Sequence, residues 1–213
     1  MNRHENLCAY SKYNGIVFLV VVIVSSAATL VPYVLLNYVS LDIAFSCMFG
    51  SEFLIATLLY VFYLRKIPGC KLRIKTNAVT VKFSVILFLI IILIQLVVYC
   101  YRDYLYHYES SQINLIAVLV AVFVVPYYEE IVYRVCAFGF LCSIFKKNLL
   151  IPSLITSVFF CAMHSQYYNV LDQLILFVVS MCLLKVRIKS EGFFYPVLIH
   201  SGMNLFVIIL NVI

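Results

Sequence analysis

Charged side chains are scarce in this chain: of its 213 residues only 11% are Asp, Glu, Lys or Arg, whereas 65% are hydrophobic. This composition, with a mean hydropathy of +1.08, excludes an ordinary soluble domain and is typical of a polytopic helical membrane protein. Alternating strand patterns and internal repeats are also missing, which argues against a barrel or a repeat array. Tryptophan is absent, so the 17 Tyr are expected to supply the anchors at the membrane interface.

Cysteine pairs are missing as well. The chain has eight Cys, but they are scattered, none forms a C-x-x-C pair, and most lie in apolar stretches. We therefore expect them to act as small buried hydrophobic residues rather than as a disulfide framework.

Apolar stretches predict an all-α fold, a polytopic membrane bundle with about seven transmembrane helices. They cover residues 14–37, 41–64, 80–101, 112–142, 149–166, 169–185 and 193–213. The first is not a cleavable signal peptide, because it is long and lacks a small-residue cleavage site. The fourth exceeds the ~20 residues that a span needs. It also contains Pro126, which is expected to kink or break the helix.

Acidic residues are outnumbered, at 9 against 15 basic ones, yet the excess does not indicate nucleic-acid binding. If the N-terminus is cytoplasmic, 13 basic residues fall in or beside the inner loops, only Arg102 lies outside, and Arg134 lies within a span. This split follows the positive-inside rule. We therefore expect an integral, multi-pass membrane protein with a cytoplasmic N-terminus, whose partner is the lipid bilayer and not nucleic acid.

Polar side chains nevertheless occur inside the later apolar stretches, on three separate helices. They are Glu129, Glu130, Arg134, His164, His200 and Asn204. A charge at bilayer depth costs at least ~2.5–3.5 kcal/mol, so such residues persist mainly where they face one another or a water-filled cavity. Counted along the helices, their depths fall within the ~30 Å hydrocarbon slab, so they can converge on one site. Glu52, midway along the second span, is expected to play a structural part.

Each group alone also has a structural interpretation. Glu130 and Arg134 are four residues apart, which suits an ion pair on one helix face. His164 lies near a helix end, where a hydrogen-bonded or interfacial His is common. His200 and Asn204 share a helix face and can join neighbouring helices by hydrogen bonds.

Three short motifs resemble those of the CPBP family (CAAX protease and bacteriocin-processing, or Abi) of intramembrane proteases. They are Glu129-Glu130-x-x-x-Arg134, Phe160-x-x-x-His164 and His200-x-x-x-Asn204, in the family's order. The resemblance covers about residues 112–213, where we expect the protease core; the N-terminal spans of residues 1–111 show no recognisable motif. One departure is Val135, where a Gly commonly follows the Arg of the family.

The resemblance implies an intramembrane endopeptidase that cleaves a peptide precursor, a bacteriocin leader or a prenylated C-terminus. It also implies a location in the bacterial plasma membrane. Glu129 with His164 would activate a water molecule. His200 with Asn204 would form the oxyanion hole, and the predicted ion pair would order the site. Each oxyanion donor of this kind is worth ~2.7–4 kcal/mol.

Alternatives remain open at this point. A zinc ion bound by Glu129, His164 and His200 would leave a position for water. The chain has no H-E-x-x-H, however, and we favour a mechanism without a cofactor. A second function class is a bacteriocin-immunity or binding protein that needs no proteolysis. A transporter is less well supported, because no inverted repeat is evident.

Overall fold

Helices account for nearly all of the described chain. The computed structural model describes residues 13–106, 114–145, 148–164, 167 and 169–212, and within these ranges there is no strand. In chain order the helices are α1 Tyr13–Ala28, α2 Val31–Leu35, α3 Leu41–Phe62, α4 Ala78–Tyr106, α5 Leu115–Ile144, α6 Leu150–Ala162, α7 Val170–Ser190 and α8 Phe194–Leu210. The all-α prediction is confirmed for this part of the chain.

Four stretches are long and apolar enough to cross a membrane. They are Gly15–Leu35, Leu41–Lys66, Ala78–Leu105 and Leu115–Ile144. The helices α6 and α8 are shorter, with 13 and 17 residues. The 21-residue α7 carries basic side chains in its last turn. The chain is therefore an integral membrane protein, whereas the total of seven spans stays a prediction.

The expected break at Pro126 does not occur, since α5 continues through this residue. The turn before it, Val120–Val124, is a π-helix, and the Val125 N–H donates to the carbonyl of Val120, five residues back. A second π-helical segment, Glu130–Ala137, follows after one ordinary turn. Wide turns of this kind occur mostly at functional sites, because they shift the side chains that follow around the helix. The second segment carries two of the six candidate residues.

The central position belongs to α5, which contacts α1, α3, α6 and α8. Its C-terminal half is the largest contributor to the main core: Ile131, Val135 and Cys136 have at most 1% of their surface exposed. On α6 the ring of Phe160 meets that of Tyr133 edge-on, with centroids 4.9 Å apart. Meanwhile α4 packs on α7 and α8. This arrangement brings the three motif-bearing helices α5, α6 and α8 together.

An extended connection between α3 and α4 is attached to the tight turn between α7 and α8. Glu191 ends α7 in the left-handed conformation (φ 55°) and pairs with Arg73 at 3.1 Å and Lys75 at 2.8 Å. The hydroxyl of Tyr195, at the start of α8, donates to the carbonyl of Lys75 at 2.6 Å. The N-terminal spans are thus tied to the end of the helix that bears His200.

This attachment predicts a strong effect at Gly192. A Cβ there would lie 2.6 Å from Cβ and 2.7 Å from the backbone N of Arg73, so Gly192→Ala must push the connection away. We expect a loss of ~1–3 kcal/mol, the usual cost of overpacking, seen as a lower midpoint of thermal unfolding in detergent. Gly50→Ala is the matched control, because nothing lies within 4 Å of the added Cβ. Within a helix the control should be neutral or stabilise by up to ~1 kcal/mol. Equal midpoints for both variants would contradict the attachment.

Candidate active site

The carboxylate of Glu129 is the meeting point of the two candidate imidazoles. Its Oε1 lies 3.4 Å from Nε2 of His164, and its Oε2 lies 3.7 Å from Nε2 of His200. Only 6% of the residue's surface is exposed. Glu129 ends the ordinary turn of α5 that separates the two π-helical segments. The structure therefore brings a carboxylate and two imidazoles from three helices into contact.

His164 is oriented by the way in which α6 ends. Its backbone N–H donates to the carbonyl of Cys161 at 2.9 Å, so the helix closes with a tighter turn. This leaves the Phe160 carbonyl, four residues back, for the imidazole Nδ1 at 2.7 Å. Because a carbonyl only accepts, Nδ1 must carry the hydrogen and Nε2 faces Glu129. The F-x-x-x-H spacing thus has a local explanation.

His200 is held in the same sense, by a carboxylate instead of a carbonyl. Its Nδ1 lies 3.0 Å from Oε1 of Glu130, and both side chains are buried. The other nitrogen, Nε2, is again the one that faces Glu129. The two adjacent glutamates therefore have different contacts: Glu129 meets both Nε2 atoms, while Glu130 orients one of the rings from behind.

Glu130 is also the partner of Arg134, as the spacing of four residues predicted. Nε of the guanidinium lies 3.3 Å from Oε2 of Glu130, and both side chains are 0% exposed. The guanidinium carbon is 4.5 Å from the centroid of the Phe160 ring, a cation–π contact. Among the described residues, neither terminal nitrogen of Arg134 has a hydrogen-bond partner. The ion pair and the ring together neutralise and cover this charge.

Asn204 lies outside the direct contacts of the cluster. It is one turn beyond His200 on α8, and its side-chain amide donates to the carbonyl of Ala121 on α5 at 2.8 Å. That carbonyl belongs to the first π-helical segment, one residue after its start. Only one of the two amide hydrogens is used in this bond, so the second remains for another acceptor. The structure thus joins five of the six predicted residues and places the sixth beside them.

Two further polar residues contact this region, although neither belongs to a motif. Gln173 on α7 donates from its amide to the carbonyl of His164 at 3.1 Å and to that of Tyr167 at 2.8 Å. Its only sequence signal was an amide inside an apolar stretch. Glu52 accepts a hydrogen bond from Ser25 at 2.9 Å and lines a small cavity with Ser25 and Tyr128. This hydrogen bond joins α3 to α1, which agrees with the structural role expected for Glu52.

Comparisons with known proteins address the same part of the chain. Residues 111–206 match the family model described as Type II CAAX prenyl endopeptidase Rce1-like, which falls in the CPBP family. Over those residues the chain is similar to the CPBP family. A curated relative, "Uncharacterized 24.3 kDa protein" from Escherichia coli, is 35% identical over 97 residues. The alignment covers 43% of this chain and 43% of that relative. No solved structure matches the chain.

The family is a protease family, so the predicted recognition is confirmed at that level. The match spans all three motifs. Neither the family model nor the relative assigns a role to any residue of this chain. The six candidate site residues, and the division at residue 112, therefore stay predictions.

The contacts also limit where hydrogens can lie in the candidate site. Glu129 and Glu130 contribute two negative charges and Arg134 one positive charge. With both imidazoles neutral and hydrogenated at Nδ1, the lone pairs at Nε2 would face a carboxylate, which is repulsive. Attraction across the 3.4 Å contact with His164 requires one proton on Glu129 or on an Nε2 atom. One added proton also brings the net charge of the cluster to zero, which burial favours.

The buried pair predicts a distinct stability pattern. Arg134→Met strands the Glu130 carboxylate and should lower the free energy of unfolding by ~3–5 kcal/mol. The double variant Arg134→Met/Glu130→Gln removes both charges, so it should be less destabilised than the single variant. The measurements are the yield of folded protein and the midpoint of thermal unfolding in detergent. If the single variant unfolds at the wild-type temperature, the pair is not a buried clamp.

Proposed function

We propose that this protein is an intramembrane endopeptidase that uses Glu129 and His164 to activate water. The observation that carries the proposal is the convergence of two Nε2 atoms, from α6 and α8, on the Glu129 carboxylate. Peptide hydrolysis needs a base that takes a proton from water, a partner that can share this proton, and a hydrogen-bond donor that faces the developing oxyanion. The proposed substrate is a peptide bond of a membrane-associated protein or of a peptide precursor.

The proposed chemistry begins at the shared proton. With Glu129 ionised, the pair of Glu129 and His164 takes one proton from a water molecule, and the water oxygen attacks the carbonyl carbon. The C–N bond then breaks, and the pair returns the proton to the leaving nitrogen. These steps return Glu129 and His164 to their starting protonation and release a carboxylic acid and an amine, so atoms and charge balance.

Stabilisation of the intermediate falls to α8. His200 faces the same carboxylate with Nε2, and its Nδ1 is fixed by Glu130. Asn204, one turn away, keeps one amide hydrogen free of its bond to Ala121. We infer that the Asn204 amide, and Nε2 of His200 when it carries the added proton, donate hydrogen bonds to the developing oxyanion, an interaction worth ~2.7–4 kcal/mol for each donor. In this proposal the ion pair of Glu130 and Arg134 acts on His200 and does not touch the substrate.

A metal-assisted variant uses the same donors. Two Nε2 atoms and a carboxylate converge, and both distal nitrogens are hydrogen-bonded, as is usual for zinc-binding His. These residues fit a zinc ion in chemical type, and the ion would supply an activated water. In the described part of the chain, no three His, Cys, Asp or Glu side chains are spaced to hold a metal ion. We favour direct activation by Glu129, with zinc as the second candidate.

The test of proteolysis is the Glu129→Gln variant, which keeps the shape of the side chain and removes the base. We expect cleavage to fall by at least ~10²-fold, the usual contribution of a general base. The measurement compares newly formed peptide termini, by mass spectrometry, in membranes from cells that produce each form of the protein. Glu52→Gln is the matched control, because it removes a buried carboxylate that lies outside the cluster.

Three outcomes separate the functions. Loss of cleavage in Glu129→Gln, with cleavage kept in Glu52→Gln, supports the endopeptidase. Equal sets of termini for Glu129→Gln, His164→Ala, His200→Ala and the wild type, at normal protein levels, would refute it. If those variants also keep the biological phenotype, the immunity or binding function replaces it.

A further inference from the structure

Of the six candidate residues, all of which the structure describes, His164 alone lies outside a helix. The other five are held within α5 or α8, whereas α6 ends at Ala162, two residues before His164. Beyond a helix end the backbone lacks intrahelical hydrogen bonds, so other contacts must keep it in place. The position of the His164 ring at Glu129 therefore depends on what holds the chain that follows α6.

The contacts of the His164 ring with α6 fix its direction but not its place. Nδ1 bonds the carbonyl of Phe160 at 2.7 Å, and the two rings lie against each other with centroids 4.3 Å apart. Both contacts turn Nε2 toward Glu129, which it meets at 3.4 Å. Neither contact reaches the backbone of His164 itself. A shift of that backbone would therefore carry the ring away from Glu129.

Gln173 on α7 supplies the contact with that backbone. Its Nε2 donates to the carbonyl of His164 at 3.1 Å and to the carbonyl of Tyr167 at 2.8 Å. An amide nitrogen carries two hydrogens, so these two bonds use both of them. The N–H of Tyr167 donates to the same His164 carbonyl at 3.1 Å. The Gln173 amide thus bridges two carbonyls that a backbone hydrogen bond already holds close together.

The start of α7 is anchored, so Gln173 has a fixed base. Its N–H donates to the carbonyl of Asn169, the N-cap of α7, at 3.1 Å. The preceding residue, Asp172, pairs with Arg102 on α4. The carbonyl of Gln173 accepts a hydrogen bond from Sγ of Cys161, near the end of α6, at 3.5 Å. The amide that holds His164 is therefore presented from a helix start that is tied to both α4 and α6.

We propose that Gln173 is a positioning residue, which keeps Nε2 of His164 at Glu129 by holding the chain that follows α6. The inference rests on the proposed endopeptidase function and adds to it a residue that acts through His164 and not on the substrate. Phe160 sets the direction in which the ring faces, and Gln173 sets where the ring lies. Because a misplacement of ~1 Å can cost ~10²-fold in rate, loss of the amide should lower turnover more than substrate binding.

The test compares Gln173→Met with Gln95→Met. Methionine is unbranched and packs readily among apolar side chains, but it donates no hydrogen bond. Gln95 lies on α4, which carries none of the candidate residues, so its replacement controls for the loss of an amide from an apolar helix. The midpoint of thermal unfolding in detergent is measured for both variants.

The first readout is spectroscopic and needs no substrate. In protein labelled with ring-¹⁵N histidine, the Nδ1–H of His164 gives an NMR signal that depends on its bond to Phe160. The chain has four His, so the signal is assigned by its absence in His164→Ala. The second readout separates kcat from KM. Its probe is a fluorogenic peptide built on a cleavage site that the newly formed termini identify.

We expect Gln95→Met to keep the His164 signal and both kinetic constants. In Gln173→Met the signal should shift or disappear, because the ring leaves the Phe160 carbonyl. The kcat should fall at least ~10-fold, while KM stays close to that of the wild type. If Gln173→Met does not fold, Gln173→Glu, which keeps the length of the side chain but has no amide hydrogen, is read in the same way.

An unchanged His164 signal in a Gln173 variant would overturn the proposal, as would an unchanged kcat. A lower unfolding midpoint beside an unchanged signal would mean that Gln173 only joins α6 to α7. The two proposals can fail separately. Loss of the signal in Gln173→Met supports the positioning of His164 even if Glu129→Gln still cleaves. An unchanged signal beside Glu129-dependent cleavage refutes the role of Gln173 alone.

Discussion

The carboxylate of Glu130 joins the two halves of the site, and the rest of the cluster depends on it. One oxygen pairs with Arg134 on the same helix, and the other holds Nδ1 of His200 on α8. Because both glutamate side chains are buried among apolar helices, neither charge can be left without a partner. With His200 fixed from behind, its Nε2 faces Glu129, and the backbone carbonyl of Phe160 does the same for His164. A buried clamp and a backbone carbonyl thus turn both Nε2 atoms toward one carboxylate.

The geometry of α5 makes this arrangement possible. A regular helix would place Glu129, Glu130 and Arg134 in the usual rotation of 100° per residue. The two π-helical segments widen the turns on either side of Glu129 and keep the helix continuous past Pro126. The carbonyl of Ala121, in the first of these segments, accepts the bond from Asn204. We therefore regard the wide turns as part of the site and not as a response to proline alone.

Local spacing explains which features could be predicted from the sequence. The pairing of Glu130 with Arg134 follows from their separation of four residues. The similar depths of the six polar side chains in the membrane predicted that these side chains converge on one site. The π-helical turns could not be predicted, because neither the apolar pattern nor the position of Pro126 gives the number of residues in a helical turn. The links from Glu191 to the α3–α4 connection and from Gln173 to His164 join residues far apart in sequence, and surface charges or a lone amide give no sign of their partners.

The central claim is that Glu129, together with His164, activates water directly. It is tested most directly by the metal content of the purified, detergent-solubilised protein, measured together with its cleavage activity in a strong chelator. The account predicts no stoichiometric zinc by elemental analysis and activity that survives the chelator. Near one zinc per chain, lost together with activity and restored with it when metal is added back, would contradict the account and make Glu129, His164 and His200 ligands.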